Sequence, residues 1–400
     1  MKPELKKYKE EVGQELEKIL AFWMTAAVDE QHGGFFGSVN NENIPHRDAA
    51  KGSVLHSRIL WAFSAALEIA PGKNYASMAT RAYAYLCENF IDRRHGGVYW
   101  TVTAKGEPLE TKKQVYAIAF ALYACSEYYR THNDEKGKDT SLALYDTLID
   151  RCYDKINGGF WEGFSINWKE LPDQRLSSKD ANERKSMNTN LHVLEAFANL
   201  YSVWPDASLK KHIVELLDIF KTKIIGEKSH HLSLFFNDEW MVKPDVISYG
   251  HDIEASWLLP DAAMIINDRK LIEEYKNISL LLADAAIEGI SGDGGLWYEY
   301  DPSANRMVRE KHWWLQAEAM VGFLNAWQIS NDEKYLEHSL RSWDFVKKYL
   351  IDRQHGEWYW GVDEHGAAMP LKDKAGLWKC PYHNSRACME VMKRIASLMG

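Results

Sequence analysis

The chain has 400 residues with 48 Lys and Arg against 57 Asp and Glu, a formal charge of -9, which disfavours a polyanion such as nucleic acid or an anionic membrane as the main partner. Hydrophobic residues at 46% and charged residues at 26% are ordinary globular values and exclude a disordered chain. The unusual count is aromatic, 16 Trp against 14 Phe, and flat amphipathic rings suit a sugar as well as they suit a core.

Hydrophobic periodicity predicts helices over 3–26, 53–69, 74–90, 112–131, 139–153, 186–203, 207–224, 251–267, 270–288, 312–329, 332–350 and 381–398. The first is charged and amphipathic, unlike an export signal, and no stretch reaches the roughly 20 apolar residues of a membrane span. Cys87, Cys125, Cys152, Cys380 and Cys388 show no C-x-x-C spacing, so neither a disulfide framework nor a cysteine zinc site is expected. Together these features predict a soluble, unexported, cytoplasmic protein.

Between the helices a short signal recurs: His32-Gly33-Gly34-Phe35, His95-Gly96-Gly97-Val98, Asn157-Gly158-Gly159-Phe160, Asp293-Gly294-Gly295-Leu296 and His355-Gly356-Glu357-Trp358. The step from Gly33 to Gly96 is 63 residues, and the steps from Gly96 to Gly158 and from Gly294 to Gly356 are 62 each. The wider gap holds one more copy, His230-His231-Leu232, without glycines. Six two-helix units follow, and their end units look no more polar than the middle ones, whereas an open stack requires polar caps. The expected fold is therefore all-α, a closed (α/α)6 barrel in one domain over 1–400, with the apolar helices inside.

In such a ring the N-terminal ends of the inner helices meet at one mouth. There the sequence places His56 and Arg58, Gln114 and Tyr116, Asn188 and His192, His251 and Glu254, His312, Trp313, Trp314 and Glu318, then Trp378 and His383. Arg58 either pairs with a carboxylate such as Glu254 or Glu318 or meets a substrate. The tryptophans of the repeated turns, Trp360 among them, read as architecture, while Trp378 reads as a sugar platform. There is no H-E-x-x-H, no P-loop, no Rossmann fingerprint and no nucleophile elbow. Two chemistries remain. Paired histidines suit proton transfer beside a carbonyl through an enediolate stabilised by Arg58; Glu254 and Glu318, with Asp180 in reserve, would instead suit glycoside hydrolysis.

Five blocks, Gly52 to Trp61, Met187 to Ala196, Ser248 to Trp257, His312 to Ala319 and Trp378 to Arg386, resemble the N-acylglucosamine 2-epimerase superfamily, in particular its cellobiose-acting branch. The resemblance implies an (α/α)6 barrel that reversibly inverts C2 of the reducing-end glucose in β-1,4-linked disaccharides (cellobiose, lactose, mannobiose-type sugars). It implies no metal or nucleotide cofactor; from the charge no nucleic-acid or membrane partner is expected, and the chain is expected to be a monomer. By matched position, His251 and His383 would be the acid/base pair, His192 would assist ring opening and Arg58 would bind the enediolate. Tyr116, Asn188 and Glu254 would surround the reducing-end ring, and Trp314, Glu318 and Trp378 would contact sugar.

Overall fold

A helix that is apolar all round is stable only with neighbours on every side, and this sequence alternates such helices with one-faced ones. The computed structural model describes residues 2–70, 74–243 and 246–398. In chain order the helices are α1 (Pro3–Thr25), α2 (Ser53–Ile69), α3 (Tyr75–Tyr85), α4 (Val115–His132), α5 (Glu135–Thr147), α6 (Met187–Val203), α7 (Ala207–Ile219), α8 (Tyr249–Ile265), α9 (Arg269–Ile287), α10 (Trp313–Ser330), α11 (Glu333–Phe345) and α12 (Tyr382–Ser397). None among the described residues is long and apolar enough to cross a membrane.

The even-numbered helices pack each on the next, and α12 packs back on α2, closing an inner ring. Burial follows: every residue from Ser53 to Ala66 in α2 and from Val115 to Tyr128 in α4 is buried. Each odd-numbered helix covers an inner one, and the first helix, α1, covers the last, α12. That is the expected (α/α)6 barrel. Helices α3, α5, α7 and α11 each end in a widened π-helical turn (Leu86–Phe90, Leu148–Cys152, Phe220–Ile224, Val346–Leu350) that delivers the chain into the next repeat turn.

Helix α4 starts at Val115 and not at 112 because Lys113 and Gln114 form a strand with Phe164 and Gly163. Such antiparallel stitches run round the whole mouth. Lys51–Gly52 pairs with Thr101–Val102, Lys185–Ser186 with Phe235–Phe236, Ile247 with Tyr300, Lys311–His312 with Gly361–Val362, and Val39 with Ala375. The last of these joins the final repeat to the first.

Under five of these six stitches lies an ion pair. Lys51, Lys113, Lys185 and Lys311 bond Asp29, Asp92, Asp154 and Asp293 at 2.6 to 2.7 Å, and Lys374 bonds Asp352. The fourth repeat has neither partner. Gly226 donates to the His231 carbonyl where Asp29 donates to that of Gly34, and Ile247 stands in the stitch where Lys51 would be. Losing both together avoids an unpaired buried charge. The turn itself survives without glycine: His230 takes φ 58°, in the left-handed region Gly33 occupies at 77°. At Gly34 the reason for glycine is also steric, since a Cβ there would lie 2.6 Å from the Tyr85 ring.

Candidate active site

The first turns of the inner helices have two jobs. One is to hold the preceding turn: His56 Nε2, Asn190 Oδ1, Asp252 Oδ1 and Gln316 Oε1 accept from the amides of Phe35, Phe160, Leu232 and Leu296. His56 is thus architectural. Gln114 likewise donates to the carbonyls of Gln174 and Arg175, fixing a loop whose continuation, Leu176 to Asp180, forms part of the mouth.

The other job is to line a cavity of about 470 Å³ inside the ring. Arg58, Tyr116, Asn188, His192, His251, Glu254, Trp314, Trp378 and His383 all reach it. Glu318, expected as a sugar contact, does not line it and lies behind His383. Trp360 does line the cavity, although its turn position suggested a purely architectural role. His312 also lines it, its Nε2 2.8 Å from Glu310 and its ring 4.1 Å from that of Tyr298.

Of the four histidines that line the cavity, His192, His251 and His383 are held from behind through Nδ1. His192 Nδ1 is 2.8 Å from Glu195 Oε2, His251 Nδ1 is 2.8 Å from Ser248 Oγ, and His383 Nδ1 is 2.7 Å from Glu318 Oε1. A carboxylate can only accept, so His192 and His383 carry their proton on Nδ1 and leave Nε2 as a free base. Burial pushes the His251 imidazole down to about 3. Burial, with Arg58 and Arg386 adding to it, also holds His383 well below the ordinary range. Both rings are therefore neutral bases at neutral pH. Trp314 touches both, its ring 4.9 Å from that of His251 and 5.7 Å from that of His383.

Of the two alternatives for Arg58, a carboxylate partner or a substrate, the structure does not form the ion pair with Glu254 or Glu318. Its Nη2 donates to Tyr116 Oη at 2.6 Å, and its guanidinium lies 4.1 Å from the Phe120 ring centre and 4.8 Å from that of Tyr382. No carboxylate bonds it among the described residues, so its charge is available to an incoming anion. The cation that holds Glu254 and Glu318 is Arg386, whose Nη2 donates to both, at 2.8 and 2.7 Å, while its Nη1 bonds Glu195 and Tyr382. Glu254, Glu318 and His383 offer ligand atoms within 4.8 Å of one another; Arg386 supplies the positive charge among them.

Sequence reasoning gave no role to Arg386, Glu195 or Ser248. The signal was present: each stands three residues from a site histidine, His383, His192 and His251 respectively, which on a helix is one turn away on the same face.

A closed helical double ring with histidines, an uncommitted arginine and tryptophans around one cavity defines a sugar-handling isomerase barrel. Residues 34–387 match the family model described as N-acylglucosamine 2-epimerase (GlcNAc 2-epimerase), and the chain belongs to that epimerase family. It is 43% identical over 385 residues to the cellobiose 2-epimerase of Bacteroides fragilis, covering 96% of this chain and 98% of that one. Its identity to the cellobiose 2-epimerase of Dictyoglomus turgidum is 39%, covering 98% and 100%. The solved cellobiose 2-epimerase of Bacillus thermoamylovorans B4167 superposes with a TM-score of 0.92 at 40% identity, over 97% of this chain and 100% of that one.

Proposed function

We propose that this protein reversibly inverts C2 of the reducing-end glucose of β-1,4-linked disaccharides such as cellobiose and lactose. The observation that carries the reading is the set of three cavity histidines anchored through Nδ1, beside an arginine that no carboxylate bonds among the described residues. The C2 proton is acidic only when C1 is a carbonyl, so the ring must open first, with His192 assisting. One of His251 and His383 then removes the C2 proton as a base, and the other delivers a proton to the opposite face; the two exchange roles with reaction direction. Arg58 meets the negative charge that develops on the enediolate oxygens. Tyr116 and Asn188 surround the reducing-end ring, and Trp314 and Trp378 offer faces to the sugars. The chemistry is complete without a cofactor.

The hydrolytic alternative is weaker. Inversion at a glycosidic bond calls for carboxyl groups about 6.5–9.5 Å apart with a water between them. Here Glu254 and Glu318 share one guanidinium nitrogen, and Glu318 does not reach the cavity.

Cellobiose incubated with the protein in deuterated water and followed by NMR tests the reading. A mannose-ended disaccharide carrying deuterium at C2 is expected. Free glucose would mean a glycosidase, and unchanged cellobiose would refute the assignment for this substrate.

A further inference from the structure

Around Arg386 three carboxylates share one guanidinium. Glu195 accepts from Arg386, from Tyr382 Oη and from His192 Nδ1, and it is held down to about 2: burial opposes its charge, and Arg386 and His192 outweigh burial. Glu318 accepts from Arg386 at 2.7 Å, from Trp257 Nε1 at 2.9 Å and from His383 Nδ1 at 2.7 Å. Glu254 accepts from Arg386 alone, through Oε1 at 2.8 Å, and among the described residues no group bonds its Oε2. It is 1% exposed, yet it lines the cavity.

A carboxylate is stabilised by the donors it accepts from, and two buried carboxylates on one nitrogen do not both stay ionised when one of them has few donors. The difference in donors therefore decides where a proton resides. Glu195 and Glu318 as anions already exceed the single positive charge of Arg386, which leaves Glu254 as the third, uncompensated carboxyl. We propose that Glu254 is a neutral carboxylic acid in the working enzyme and that its Oε2–H donates a hydrogen bond to the oxygen of the reacting sugar carbonyl. This rests on the epimerase reading and deepens it. A fixed neutral donor beside the carbonyl stabilises the enediolate while adding no negative charge to a site that must hold one. Arg58 and Glu254 would then share the oxygens that gain charge.

Burial pushes both carboxyls of the pair up, and the charge of Glu318 pushes Glu254 further. The charged and titratable groups facing Glu254 are Glu318 on α10, Arg386, His383 and Tyr382 on α12, Glu195 on α6, Arg58 on α2 and Tyr116 on α4. Ionising Glu254 adds a negative charge where the enediolate forms, so activity falls as pH rises through its titration.

The test compares Glu254→Gln with Glu254→Leu in the full chain. Gln keeps an N–H donor toward the cavity and an oxygen toward Arg386, whereas Leu keeps the volume and loses both. C2 exchange is expected to fall by about tenfold or less in Glu254→Gln, and by about 10²–10³-fold in Glu254→Leu, the usual loss for one oxyanion donor. The alkaline decline of the wild-type rate should vanish in Glu254→Gln. Independently, the infrared spectrum of the wild type at neutral pH should carry a protonated-carboxyl band that Glu254→Gln lacks. If a folded Glu254→Gln loses exchange as fully as Glu254→Leu, or if the band is missing, Glu254 works as an anion and the proposal falls. If the wild type shows no C2 exchange, the epimerase reading fails on its own, and the infrared band still decides the state of Glu254.

Discussion

Replacing Lys113 by Met tests whether the buried ion pairs hold the repeats. The Lys113 and Asp92 side chains are both fully buried, with Nζ 2.7 Å from Oδ2. Asp92 also accepts from the amides of Arg94 and His95, both at 3.0 Å, so its carboxyl cannot move to water without undoing the turn. Removing the cation strands a buried carboxylate, which costs about 3–5 kcal/mol. In the double variant Lys113→Met, Asp92→Asn, the amide oxygen still serves the two backbone donors and no charge remains, so most of the loss is recovered. The fourth repeat already has this arrangement, with Gly226 and Ile247 in place of the pair. Urea unfolding followed by tryptophan fluorescence, on the wild type, both single variants and the double, measures the cycle. A Lys113→Met protein within about 1 kcal/mol of wild type, or a double variant as unstable as the summed singles, would refute the argument.

Other expectations follow from the same geometry. His251→Ala and His383→Ala should each lower C2 exchange by about 10²–10⁴-fold while still binding sugar; near-full exchange in either would end the two-histidine mechanism. Trp378→Ala should raise the KM for cellobiose by about tenfold and leave a monosaccharide substrate little changed, because only the disaccharide has a second ring to stack. Equal effects on both substrates would remove Trp378 from that role. In the fourth repeat His231 bonds Asp252 at 2.7 Å, and although burial opposes its charge, Asp252 and Glu288 raise it above the ordinary histidine value. Its stabilising contribution is then complete below about pH 6.5 and is lost as pH rises through the raised folded value. Stability measured against pH should show that slope in the wild type and lose it in His231→Gln; an unchanged slope would assign it to another group.

The sequence by itself determined the ring. Glycine turns 62 or 63 residues apart, with an apolar and a mixed helix between them, are local features, and local patterns dictate which faces must be covered. The helix starts at histidine-bearing ends were legible for the same reason, as were the tryptophans beside them. Which charges meet was not legible. Arg58 and Arg386 stand on α2 and α12, and Glu254 and Glu318 on α8 and α10; partner choice among four such groups depends on distances across the inner ring, to which spacing along the chain is blind. Tertiary structure gave the carboxylates to Arg386, left Arg58 on an aromatic bed and set Glu318 behind His383. It also turned Trp360 from a turn residue into part of the cavity wall. Hydrogen bonds and ion pairs act over a few ångströms, so the groups that do the chemistry became a site only when the last helix closed on the first.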